Sequence, residues 1–150
     1  IMSIYEMPSL LGKNLDYSKE LTINEGMKCL FDIIPYEYGN ANVYENAVRA
    51  GFLLSQFSKS GAEPLSTEQA IYAAVKVLNR KIAIDVNGFA ASQDYEDIMN
   101  TVGQPYKDAV AFTVANGIIS NENGVDPSST ITLSKFLEIL ERILIYAGEI

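Results

Sequence analysis

Apolar residues recur at helical spacing along much of this chain, with polar punctuation between the runs. Tyr106, Val110, Val114 and Ile118 keep one face apolar, as a helix packed on a core requires. Pro105 suits the first position of that helix, where a missing N–H costs nothing, and Gly117 suits the left-handed residue that ends it. A turn-rich segment from Ser120 to Thr130 follows. Thr132 then opens an amphipathic helix that runs towards Ala147. The Thr132 hydroxyl is placed to cap a first-turn amide, and Ile131 to pack against Phe136 as a hydrophobic staple. The predicted unit is helix, glycine stop, polar loop, hydroxyl cap, helix.

The unit recurs upstream. Tyr44, Ala47 and Val48 share a face, Gly51 is the stop, and Ser66 opens the next helix, with Ile71, Ala74, Val75 and Leu78 as its buried stripe. The stop-to-cap offset is 66 − 51 = 15 in one copy and 132 − 117 = 15 in the other. A third start lies at Thr22, which with Glu25 forms a capping box and begins a helix to about Ile34. Ser66 with Gln69 reads as a second box. Fifteen positions before Thr22 stands Met7 (22 − 15 = 7) rather than a glycine, so the first copy is degraded or truncated. Residues 1–20 read as a short helical turn around Leu10-Leu11 and loop. Pro35 ends the first helix and the Tyr36 to Asn40 segment turns the chain. Phe52 to Leu54 continues the Tyr44 helix as a short apolar run. Ile82 to Val86 suits either a short strand or a helix end, and Asp94 to Met99 a turn of helix.

At these residues the chain resembles the S-layer homology family. Ala-Val-Ala-Phe-Thr-Val-Ala-Asn-Gly-Ile-Ile, an Asp-Pro loop, then Ile-Thr and an amphipathic helix is similar to that repeat. Tyr95-Glu96-Asp97 resembles its aromatic-x-Asp lead-in. The resemblance implies an all-α fold of repeated helix-loop-helix units packed as a pseudo-symmetric bundle. It implies one S-layer-homology-like domain over 1–150, with repeats at roughly 1–35 (degenerate), 40–80 and 94–147. Three such repeats usually make a module that attaches bacterial surface proteins to cell-wall polysaccharide. The family's Thr-Arg-Ala-Glu-like signature corresponds here to 22–25, 66–69 and 132–135, and none of these carries its arginine. If the helix starts line inter-repeat grooves as in the family, Asn24, Glu25, Thr67, Glu68, Ser134 and Lys135 are the candidate ligand contacts. Lys135 is the only cation among them. Lysine lacks the bidentate fork that arginine offers a carboxylate. Thr22, Ser66, Thr132, Gly51 and Gly117 are structural caps.

Composition narrows the chemistry. With 150 residues, 48% of them hydrophobic, the chain is long enough for one core. A formal net charge of −8 disfavours nucleic acid, whose binding rests on neutralising phosphates. There is no histidine, so serine triads, Cys-His pairs and the usual zinc sites are excluded. No phosphate-cradling glycine motif occurs. Cys29 lies on the stripe Met27, Leu30, Phe31, Ile34 and reads as a buried, inert thiol. Asp85, Asn87 and Glu96 echo positions of a calcium loop. Phe89 at the fifth position and the misplaced Gly88 make a plain turn the reading, and the Asn121 to Asp126 loop is a turn likewise. Asp94, Glu96 and Asp97 read as a solvated acidic turn, and Tyr72 and Tyr106 as packing residues. Lys76, Arg80 and Lys81 read as complements to a helix end.

The expectation is therefore a non-catalytic anchoring module, without metal or cofactor, binding secondary cell-wall polysaccharide at a bacterial surface. The alternative is a divergent copy that has lost glycan binding and packs against another domain or subunit. No apolar run approaches the roughly 20 residues of a membrane span, and no leader peptide is visible in this sequence.

Overall fold

The structure is a computed structural model that describes residues 17–33, 43–54, 61–82, 84–86, 102–119 and 129–148. It is all-α: α1 (Ile23–Ile33), α2 (Val43–Ala50), α3 (Thr67–Lys81), α4 (Lys107–Ala115) and α5 (Leu133–Tyr146), with a 3-10 turn at Gln104–Tyr106. Among the described residues there is no strand, only three isolated bridges.

The helix starts follow the hydroxyl caps. Ser66 and Thr132 have extended backbone, and their hydroxyls accept from the amides of Gln69 (3.3 Å) and Lys135 (3.2 Å). At Thr22 the box is reciprocal: the Glu25 N–H donates to the threonine hydroxyl at 3.3 Å, and Glu25 Oε1 accepts from the Thr22 N–H at 3.0 Å. At Ser66 the half of the box made by the cap hydroxyl is present. The Gln69 side chain also bonds the Tyr106 side chain, because Tyr106 is buried against α3 and its hydroxyl needs a partner.

The stops follow the glycines. Gly51 has φ 85° and Gly117 φ 70°. In each case the glycine N–H donates to the carbonyl three residues back (Val48, Val114). The next residue's N–H donates to the carbonyl five back (Ala47, Thr113), and this pair of bonds is the Schellman motif. Phe52 and Ile118, just past the stops, are buried. An arginine from the following helix then reaches each stop: Arg80 donates to the Ala50 carbonyl at 2.9 Å and Arg142 to the Ile118 carbonyl at 3.1 Å. Arg80 also lies over the Phe52 ring, so its role goes beyond complementing a helix end.

Two boundaries differ from expectation. Pro105 lies in the 3-10 turn rather than at the first position of α4. The Tyr106 N–H bonds back only three residues, to the Gly103 carbonyl at 2.9 Å, and α4 begins at Lys107. Past α3, Ile82 turns to extended backbone (φ −137°, ψ 151°), and residues 84–86 form neither helix nor strand. The expected turns at Leu10-Leu11, Tyr36 to Asn40 and Asp94 to Met99 lie outside the described residues.

The residues just before the three caps interlock. The Leu21 N–H donates to the Ile131 carbonyl, the Ile131 N–H to the Leu65 carbonyl, and the Leu65 N–H to the Leu21 carbonyl, all at 2.9 Å. A second cycle surrounds this one. The first helical amides of α1, α3 and α5 (Ile23, Thr67, Leu133) donate to the carbonyls of Glu63, Ser129 and Lys19, at 2.9, 2.8 and 2.8 Å. All three starts thus share one arrangement, including the one at Thr22. Leu21, Leu65 and Ile131 are buried at its centre. Four residues past each cap stand Gly26, Ala70 and Phe136, and a Cβ on Gly26 would lie 2.4 Å from Leu65 Cδ2. Close approach of α1 therefore requires glycine there.

The core runs out from this centre through Met27, Leu30, Ile71, Leu78, Val110, Leu140 and Ile143. α3 is the hub, packed on α1, α4 and α5, while α2 packs on α1. Cys29 is buried and free of disulfide.

Candidate functional site

The interlocked starts place each predicted contact residue against the segment leading into a neighbouring start. Asn24 donates its N–H to the Gly61 carbonyl at 2.9 Å, and its side chain packs on Gly61, where a Cβ would meet Oδ1 at 2.0 Å. Asn24 Oδ1 is buried without a hydrogen-bond partner among the described residues. Thr67 is buried, and its hydroxyl donates to the Ser129 carbonyl at 3.1 Å. Glu68 Oε2 accepts from the Gly103 N–H at 2.9 Å and so fastens the approach to α4. Ser134 is exposed, and its N–H donates to the Tyr17 carbonyl at 2.8 Å. Lys135 reaches Glu138, 3.8 Å away, on the surface.

Glu25 pairs with Lys19, which brings a second cation to the helix starts beside Lys135. Burial pushes the Glu25 carboxyl up. Lys19 and the Thr22 amide and hydroxyl outweigh that and hold it below the ordinary glutamate value. Lys19 stands upstream of the Thr22 cap, where the pattern of residues past each cap does not point.

These bonds decide what the helix starts can offer. The first-turn amides of Ile23, Asn24, Glu25, Thr67, Gln69, Leu133, Ser134 and Lys135 all donate to protein acceptors. Helix N-termini usually attract anions through such amides. Here the eight amides named are already engaged within the protein.

Side chains do converge beside α3. A groove of about 210 Å³ lies between α3, residues 84–86 and the start of α4. Lys76 and Asn79 face it from α3, Asp85 from the following segment and Asp108 from α4, over a floor that includes Val75 and Ala109. Tyr72 also lines it. Lys76 Nζ lies 5.2 Å from the Tyr72 ring centroid, and the Tyr106 ring meets Tyr72 edge-on at 5.6 Å. Tyr106 itself is buried core, and burial, the Glu68 charge and Tyr72 push its hydroxyl up to about 12 against the opposing Gln69 hydrogen bond. It therefore stays neutral at physiological pH.

The sequence holds one signal for this groove. Nine residues past the cap, α1 has Phe31 (31 − 22 = 9) and α3 has Val75 (75 − 66 = 9). The buried Phe31 ring packs on Phe52 at 5.7 Å, whereas Val75 lines the groove.

Among the described residues no group of three His, Cys, Asp or Glu is placed to hold a metal ion. Asp85 is exposed, and the rest of the calcium-like string lies outside the described residues, as do Tyr95, the Asp94, Glu96 and Asp97 cluster and the Asn121 to Asp126 loop. No described helix is long and apolar enough to cross a membrane. Comparisons of the chain with protein-family models, curated proteins and solved structures return no match.

Proposed function

We propose that this chain is a non-catalytic anchoring module of the S-layer homology type, holding a bacterial surface protein to secondary cell-wall polysaccharide outside the cell. The observation that carries this reading is the closed cycle of backbone bonds among Leu21, Leu65 and Ile131. Three capped starts in one such cycle are what a domain of three helix-loop-helix repeats would contain. The constant offset of 15 between glycine and cap, 66 − 51 and 132 − 117, adds to it. So do the matching Schellman stops and the arginine that reaches each of them. A three-way arrangement leaves junctions between units, and polar side chains at such junctions suit a hydroxyl-rich polymer.

The test is sedimentation of the purified chain with Gram-positive cell-wall sacculi, with and without chemical removal of the secondary polysaccharide. Retention that disappears with the polysaccharide is expected. No retention on intact sacculi would refute anchoring. A second reading, packing against another domain after loss of glycan binding, is favoured by the absent motif arginines and by the occupied helix-start amides. It predicts no retention and a stable dimer or interdomain complex in light scattering.

A further inference from the structure

We infer that Asn116 is a deamidation site gated by the α4 stop: the reaction proceeds when the stop opens, and its products keep the stop from closing again. The site is independent of wall anchoring.

Asparagine is thermolabile, most of all before glycine, where no side chain shields the next nitrogen. The Gly117 nitrogen bonds to Asn116 Cγ, and the side-chain nitrogen leaves as ammonia, carrying the Gly117 proton. A cyclic imide remains. Solvent water then opens either carbonyl of that ring, giving aspartate or isoaspartate. Of the two matched stops only this one can react, because Ala50 rather than asparagine precedes Gly51.

Asn116 is exposed, so solvent reaches it, yet both reacting groups are held. Its Nδ2 donates to the Phe112 carbonyl at 2.9 Å, which fixes the leaving amide. The Gly117 N–H donates to the Val114 carbonyl at 3.2 Å, and with Asn116 at ψ 11° that nitrogen is turned away from the side chain. Ring closure requires rotation about ψ. That rotation swings the chain beyond it, breaking the Ile118 N–H bond to the Thr113 carbonyl, lifting buried Ile118 and drawing its carbonyl away from Arg142. The attacking nitrogen is released only by local opening.

Neither product restores what was lost. A carboxylate accepts and cannot donate to the Phe112 carbonyl, and it adds negative charge at the negative end of the α4 dipole. Isoaspartate lengthens the main chain by one carbon, which breaks the register of the Schellman pair.

The experiment is timed incubation of the folded chain at mildly alkaline pH. Conversion at Asn116 is followed by mass spectrometry of its peptide, and Gly117 N–H exchange by NMR in the same buffer. The chain unfolded in guanidinium gives the ungated rate. Folded-state conversion is expected to be slower by about tenfold or more, a suppression at least as large as that of Gly117 N–H exchange. Arg142→Ala leaves residues 112–118 unchanged and should raise folded-state conversion by about threefold or more. Asn116→Asp should lower the urea midpoint at neutral pH and recover part of that loss below about pH 4, where the neutral acid can donate.

Folded-state conversion at the unfolded rate, or suppressed conversion beside a freely exchanging Gly117 N–H, would overturn the gate. So would an unchanged rate in a folded Arg142→Ala chain. No conversion at Asn116 in the unfolded chain would overturn the site itself.

Discussion

Leu21 and Ile131 lie near opposite ends of the described chain, yet the Leu21 N–H donates to the Ile131 carbonyl at 2.9 Å, and Leu65 closes the cycle between them. Each of these residues stands immediately before a helix cap (Thr22, Ser66 or Thr132). Each is also buried, so its backbone groups must be paired. The three segments pair with one another, and the described residues contain no strand that could take their place. The starts of α1, α3 and α5 are thereby fixed relative to each other before any side chain is considered.

The matching stops should fail equally. A Cβ on Gly51 or Gly117 meets nothing within 4 Å, so the cost of Gly51→Ala or Gly117→Ala is the left-handed backbone alone. That cost is about 1–2 kcal/mol. Urea unfolding should give closely similar losses for the two variants. A large loss at one and none at the other would show that the two stops are not equivalent.

Gly26→Ala should destabilise through overpacking rather than backbone strain. Its Cβ would sit 2.4 Å from Leu65 Cδ2, and the fully buried Leu65 has no free direction to swing. The expected loss is about 1–3 kcal/mol. Adding Leu65→Ala should then cost less than it does in the wild type, giving a measurable coupling in a double-mutant cycle. Strict additivity would remove the proposed clash.

Alkaline stability should report on Tyr106. Burial, Glu68 and Tyr72 raise its folded-state pKa to about 12, whereas the unfolded side chain titrates near 10, as a rough reference. Between these values the unfolded state binds fewer protons than the folded one, so stability falls as pH rises. The contribution is complete below about pH 10 and lost through about pH 12. In Tyr106→Phe, urea unfolding followed across this range should show a shallower decline than the wild type. An identical slope would mean that Tyr106 is solvated.

The amino-acid sequence by itself determined the all-α class, the three hydroxyl starts and the two glycine stops. These are local matters: a cap or a left-handed stop is decided by residues within one turn of it. The apolar stripes on α3 and α5 were legible for the same reason, since a helix face has a fixed period. What the candidate residues do was not legible. Thr67, Glu68 and Gln69 are polar side chains at a helix start, and only contact with Ser129, Gly103 and Tyr106 turns them into fasteners of the fold. Lys19 became part of the α1 start through its pairing with Glu25. The groove is lined from three separate stretches: α3, residues 84–86 and the start of α4. A pocket is the space left by side chains from distant segments, and sequence spacing does not measure it. Tertiary packing alone fixed which partners the polar groups at the helix starts took.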